Sequence, residues 1–228
     1  MMITSEQVIS SCNYCQTRTC RCSPNENTLN CSSYLLNLPF ASNCAENKIW
    51  EIVDFSSRNL ELFDSTNLLS LRMYRLLLKS NSITNIDDHT FDSIGDILIE
   101  LDLQTNQLTN LSPTWLNSQL TQLKILNLAF NQLETFVQVD NIHLPHLQKL
   151  NLSCNQIEIF PRQIQQWTSL IKLDLSFNKL SSIPRFAFQG LENLEWLSLA
   201  SNRYLNCKYH FTKYDIILIF SRHHSRFI

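Results

Sequence analysis

Eight cysteines hold most of the chain's capacity for chemistry, and six of them, Cys12, Cys15, Cys20, Cys22, Cys31 and Cys44, fall within the first 44 positions. Reduced, Cys12-x-x-Cys15 and Cys20-x-Cys22 have the close pairing of zinc ligands. Oxidised, the same residues would staple a small cap in an oxidising compartment. Spacing alone leaves the connectivity open, because six cysteines can pair in many ways. Little else points to catalysis. There is no nucleophile elbow, P-loop, dinucleotide fingerprint or metalloprotease helix. His143 and His146 flank Pro145, and His223 and His224 lie near the end, none in a sequence motif that would give it a role. The serines lack a His–Asp arrangement. Only Gly95 and Gly190 occur, so loops that need glycine to let backbone approach a phosphate are not expected. A net charge of -2 with scattered Lys and Arg provides no field for nucleic acid or an anionic membrane. These residues imply a non-enzymatic chain without cofactor or resident metal.

The elements that must position these residues emerge from the 23 asparagines. Asn81, Asn106, Asn131, Asn155, Asn178 and Asn202 are separated by 25, 25, 24, 23 and 24 residues. Each carries Leu or a close substitute at offsets of -8, -5, -3 and +2, as in Leu170, Leu173, Leu175, Asn178, Leu180. A degenerate earlier copy has Trp50, Val53, Phe55 and Leu60, with Arg58 in the Asn position, which makes about seven repeats. The Leu-x-Leu alternation is strand-like, so Leu at -5 and -3 point inward and the residue between them outward. One strand per repeat, stacked, builds a parallel sheet in which each unit buries its apolar face on its neighbours. The Asn at the strand's end has both donor and acceptor groups, and can satisfy backbone groups that the turning chain takes out of the ladder. Ile86 with Phe91, Phe160 with Ile164, and Ile183 with Phe188 are expected to anchor the opposite side. Pro161 and Pro184 there suit an irregular or short helical segment.

The pattern LxxLxLxxNxL in units of 23 to 25 residues resembles the leucine-rich-repeat family over about residues 48 to 207. The resemblance implies an α/β solenoid, a horseshoe with a concave parallel β-sheet. The chain resembles the repeat regions of Toll-like receptors, Slit-like guidance proteins and small leucine-rich proteoglycans, without matching one of them closely. Residues 12–47 resemble the N-terminal cysteine cap of the extracellular members, through Cys15-x4-Cys20-x-Cys22-x8-Cys31 and the following Leu35-x-x-Leu38-Pro39. Carried over from that family, the pairing is Cys15–Cys22 and Cys20–Cys31, with Cys12 and Cys44 as a third bridge or Cys12 in place of Cys15. The cap implies an extracellular or cell-surface location. Cys154, in the position that Phe130 and Phe177 hold in neighbouring repeats, reads as a small hydrophobe in a packing slot.

Both ends depart from that pattern. Residues 1–11 have no apolar stretch of signal-peptide length, which places the native start upstream or the export route elsewhere. At the other end, Asn202 to Cys207 resembles the opening of a C-terminal cysteine cap, but no further cysteine follows. Residues 208–228 then read as a divergent tail, an incomplete cap or the translation of a retained intron, with the edge of the last repeat poorly covered. Their apolar run, Ile216 to Phe220, is far below the roughly 20 residues of a membrane span.

A protein ligand on the concave face is the expected partner. The outward positions offer Arg75, Leu77, Lys79, Glu100, Asp102, Ile125, Asn127, Lys149, Lys172, Asp174 and Trp196. Mixed charge with exposed apolar anchors at Leu77, Ile125 and above all Trp196 suits protein, whereas a phosphate backbone wants one basic face. Three sequons mark Asn30, Asn110 and Asn151 as glycosylation candidates, the last facing the concave side. An intracellular scaffold or regulatory subunit, with reduced or zinc-bound cysteines, is the alternative, and a subunit attached to a catalytic domain a third.

Overall fold

The computed structural model describes residues 20–23, 26–31, 48–68, 71–111, 115–116, 120–136, 143–203 and 217–219. A short hairpin of β1 (Arg21–Ser23) and β2 (Thr28–Asn30) begins the order. β2 then lies parallel to β3 (Ile49–Asp54). From there each repeat adds one parallel strand: β5 (Arg72–Leu77), β7 (Glu100–Asp102), β8 (Ile125–Asn127), β9 (Lys149–Asn151), β10 (Lys172–Asp174) and β11 (Trp196–Ser198). The seven repeat strands, β3 included, match the sequence count. Their register repeats without a slip, so that Leu76, Leu101, Leu126, Leu150, Leu173 and Leu197 form one column. A one-residue slip would turn every one of these leucines outward, and burial therefore fixes the register.

The inward columns close the core. Leu98, Leu101, Leu103 and Leu108 in one repeat, and Leu123, Leu126, Leu128 and Leu133 in the next, are fully buried. Each such leucine stabilises the fold by about 1.5–3 kcal/mol relative to exposure. On the convex side the chain bends irregularly around aromatic rings. Phe55, Phe63, Phe91 and Trp115 stack in series with centroids 6.3, 6.5 and 5.5 Å apart. Phe136 meets Trp167 edge-on, and Phe160 meets Phe188 in the same way. Ile86, Phe91, Phe160 and Ile164 are buried as their spacing predicted, and a 3-10 turn at Arg162–Gln166 follows Pro161. Two convex strands, β4 (Leu62–Phe63) and β6 (Asn85–Ile86), pair in parallel, a feature the sequence did not announce.

The asparagine ladder does what its chemistry allows. Asn131 Nδ2 donates to the carbonyls of Leu103 in the preceding repeat and Leu128 in its own, at 3.0 and 3.1 Å, while its Oδ1 accepts the Leu108 N–H at 3.0 Å. Asn106, Asn155, Asn178 and Asn202 repeat this pattern. Asn81 accepts both the Arg58 and Leu60 N–H groups, so the Arg58 repeat is held by its neighbour's asparagine. A parallel sheet ends where strands diverge, and these side chains restore the bonds lost there.

Two expectations need correction. The edge of the last repeat is not left open, because β12 (Ile217–Ile219) pairs antiparallel with β11. Nor is the position before each ladder residue a packing slot. Ser57, Ser80, Thr105, Phe130, Cys154, Phe177 and Ser201 all have φ near +55°. The left-handed turn swings the side chain away from the core, so Phe130 is 52% and Phe177 58% exposed and Cys154 half-exposed. In six of the seven repeats the N–H of this residue donates to a carbonyl of the next repeat, as Phe130 does to Ser153 at 2.9 Å.

Candidate binding surface

The outward side chains of β3, β5 and β7 to β11 form three columns across the concave face. The strands lie about 4.8 Å apart, so residues in register are immediate neighbours. In the column nearest the strand starts, Arg75 Nε meets Glu100 Oε2 at 2.6 Å. The hydrogen bond to Glu100 holds the Arg75 guanidinium above its ordinary pKa, against a smaller opposing effect of burial. The same column continues through Ile125, Lys149, Lys172 and Trp196. Lys149 and Lys172 are exposed.

The middle column is partly structural. Asp54, Asp102, Asn127, Asn151 and Asp174 each turn Oδ1 back to the backbone N–H two residues on, at 2.9 to 3.2 Å. These clasps hold the end of each strand where the chain enters its left-handed turn. Asp102 is costly there. Burial pushes its carboxyl above the usual range, with Glu100 and Asp54 adding to the rise while the Gln104 N–H and Lys79 oppose it. The sequence placed Asp102, Asn127 and Asp174 among ligand contacts. The structure gives their side chains a second duty that polarity and spacing alone did not reveal.

The apolar anchors are less prominent than expected. Leu77, Ile125 and Trp196 are half-buried between neighbouring strands and not fully exposed. Large exposed apolar side chains lie elsewhere, at Phe130 and Phe177 on the turn after the strands and at Leu62, Ile159 and Phe186 outside the concave sheet. Sequence reasoning missed Phe130 and Phe177 because both follow an apolar strand and read as part of it. Of the sequons, Asn110 is exposed, Asn30 is half-buried with its amide toward Asp54, and Asn151 is held in its clasp.

At the N-terminal end, Cys20 and Cys31 form a disulfide, one of the two pairings that the cap resemblance implied. Cys20 is thereby removed from any zinc site. The other pairing, Cys15 with Cys22, and the proposed Cys12–Cys44 bridge involve residues outside the described ones. Among the described residues no cluster of His, Cys, Asp or Glu could hold a metal ion, and no helix is long and apolar enough to cross a membrane. Cys154 is a free thiol whose pKa is raised by burial and then by Asp174, which makes it a poor nucleophile.

A periodic parallel sheet, an asparagine ladder and a stapled first strand define a leucine-rich-repeat solenoid. The chain belongs to the leucine rich repeat family, whose model matches residues 72–133, 98–157 and 145–204. It is 36% identical over 142 residues to lumican of Gallus gallus, and equally to that of Coturnix japonica, over 60% of this chain and 37% of the relative. The chain thus spans well under half the length of these relatives. Among solved structures, the TLR13 chain of the TLR13–ssRNA13 complex superposes with a TM-score of 0.62 at 27% identity, over 70% of this chain and 22% of that one. The Leptospira interrogans protein LIC12759 shares the fold, with a TM-score of 0.53 at 22% identity over 67% of this chain and 43% of that one.

Proposed function

We propose that this chain is a non-enzymatic recognition module that binds a protein on the concave face of its sheet. One observation carries the reading. Seven in-register strands present a continuous surface on which charges of both signs, Arg75, Lys79, Glu100, Lys149 and Lys172, are interspersed with half-buried Leu77, Ile125 and Trp196. Such a surface offers apolar and polar contacts side by side, the mixture that protein interfaces use. The TLR13 neighbour was solved with ssRNA, but Asp54, Glu100 and Asp102 on the present face would repel a phosphate backbone. The Cys20–Cys31 disulfide and the likeness to lumican support an extracellular or cell-surface setting, with Asn110 the best-exposed glycan acceptor.

A display selection tests this reading. Peptides and small domains chosen on the full 228-residue chain are challenged with Trp196→Ala and Leu77→Ser on the concave face, and with Leu62→Ser and Ile159→Ser outside it. Binders that lose at least tenfold in affinity to the first pair and keep it with the second bear the reading out. The reverse pattern refutes it.

A further inference from the structure

Resting on the concave-face reading, we propose that the partner presents an acidic helix to the C-terminal half of the sheet, with two carboxylates on Lys149 and Lys172 and apolar side chains on Ile125 and Trp196. Pairing places these four residues in one row, Ile125 beside Lys149, Lys149 beside Lys172, and Lys172 beside Trp196. Like charges directly opposite one another on a sheet are destabilising. A fold has no structural reason to set two lysines in register without a counter-charge. Yet neither lysine forms an ion pair with any described residue, and both are exposed. The nearest carboxylate along the strand, Asp174, is turned to the Ser176 N–H and hydroxyl at 2.9 and 2.6 Å. Lys124, one residue before Ile125, is also exposed and adds a third positive charge at this end.

The remainder of the face limits what can sit there. In the first three repeats Asp54 and Asp102 occupy the middle column, and Arg75 is already paired with Glu100. A long polyanion laid along the solenoid would meet these carboxylates, whereas a short acidic segment confined to β8–β11 would meet only Asp174 in that column, whose Oδ1 is engaged by Ser176. The spacing also favours a helix. Four strands set the row's length at about 14 Å, and ten residues of α-helix rise about 15 Å. Residues at i, i+3, i+7 and i+10 share one helix face and so meet the four positions in turn. An extended strand repeats its side chains at about 6.7 Å on one face and falls out of step with the row.

Fluorescence anisotropy on the full chain decides the matter. The probe is a labelled helical peptide with Leu, Glu, Glu and Leu at those four positions on an Ala/Gln background. A twin carries Lys for Glu, and a heparin-derived oligosaccharide and single-stranded polyuridine serve as polyanion comparisons. The acidic peptide is expected to bind at least tenfold more tightly than its twin. Lys149→Gln with Lys172→Gln should weaken it about tenfold, as for the loss of two exposed ion pairs. Lys149→Glu with Lys172→Glu should invert the preference, with both variants' folding checked by circular dichroism. Indifference of the acidic peptide to these lysines overturns the proposal, as does tighter lysine-dependent binding of either polyanion. Selected binders that map to the concave face but carry no acidic helix would also overturn it, and would leave the broader reading intact.

Discussion

Replacing Asn131 by alanine is the most demanding test of how the repeats are joined. The side chain is buried; its Nδ2 donates to Leu103 O, Leu128 O and Ala129 O, and its Oδ1 accepts the Leu108 N–H. Removing it takes the partner of the buried Leu108 N–H, whereas Leu103 O keeps Asn106 Nδ2, Leu128 O keeps Asn155 Nδ2 and Ala129 O keeps the Thr105 N–H. An orphaned buried donor costs about 1–3 kcal/mol, and each carbonyl that loses one of its two donors adds about 0.5 kcal/mol. With some relief from water entering the space, the sum is about 2.5 kcal/mol. At an m-value of about 3 kcal/mol/M the urea midpoint falls by about 0.8 M. Asn131→Asp separates hydrogen bonding from volume. It keeps an acceptor for Leu108 but turns a second carboxylate oxygen toward those carbonyls, which raises that carboxyl's pKa above its unfolded value of about 3.9. Its stability is then closest to wild type below that value and is lost as pH rises through the raised folded pKa. Asn110→Ala, at an exposed position, changes stability by less than about 0.5 kcal/mol. If Asn131→Ala and Asn131→Asp both stay within about 1 kcal/mol of wild type at pH 7, the ladder does not join the repeats as described.

Three further outcomes follow from the same geometry. Cys20→Ser with Cys31→Ser opens a bridge between residues 11 apart and should cost about 3 kcal/mol, read as a lower urea midpoint under non-reducing conditions. Asp102→Asn should stabilise the chain at neutral pH, because Asn127 and Asn151 make the same backbone clasp without a charge. Since burial raises the Asp102 carboxyl, its contribution is full below the unfolded pKa and lost as pH rises through the folded one. The gain should therefore grow from pH 4 to pH 7.5 in paired urea titrations, and a gain independent of pH would count against the assignment. Phe177→Asn should leave stability unchanged or raise it by up to about 1 kcal/mol, since the ring is exposed and its φ is +54°, a region asparagine tolerates. A loss above about 1 kcal/mol in thermal melts would mean that the ring packs on something.

The sheet and its ladder were legible because their cause is periodic. Leu at -5 and -3, and Asn at the strand's end, recur in every repeat from Asn81 to Asn202, and burial allows them one register. What stayed hidden depends on single dihedral angles or on distant pairing. Phe130 and Phe177 look like core because apolar strands precede them, yet one left-handed residue reverses their direction. Asp102 and Asp174 look free for a ligand, yet their oxygens close on a backbone N–H two residues away. Leu77 and Ile125 sit at outward positions, but adjacent strands at about 4.8 Å shade them to half-burial. The β4–β6 pairing and the β12 edge strand join segments without a repeating pattern, which no local rule anticipates. Of the cap, the resemblance gave Cys20–Cys31 correctly. The concave columns themselves could be read off the sequence by position, but not which side chains were already engaged.

The central claim, that protein is bound on the concave sheet, is tested most directly by placing a photo-crosslinker in the face itself. Benzoylphenylalanine in place of Asn127, at the centre of the sheet on β8, is compared with the same group in place of exposed Ile159 outside it, each with a binder selected on the unmodified chain. The account predicts a covalent adduct from position 127 and none from position 159. An adduct from 159 alone would contradict it.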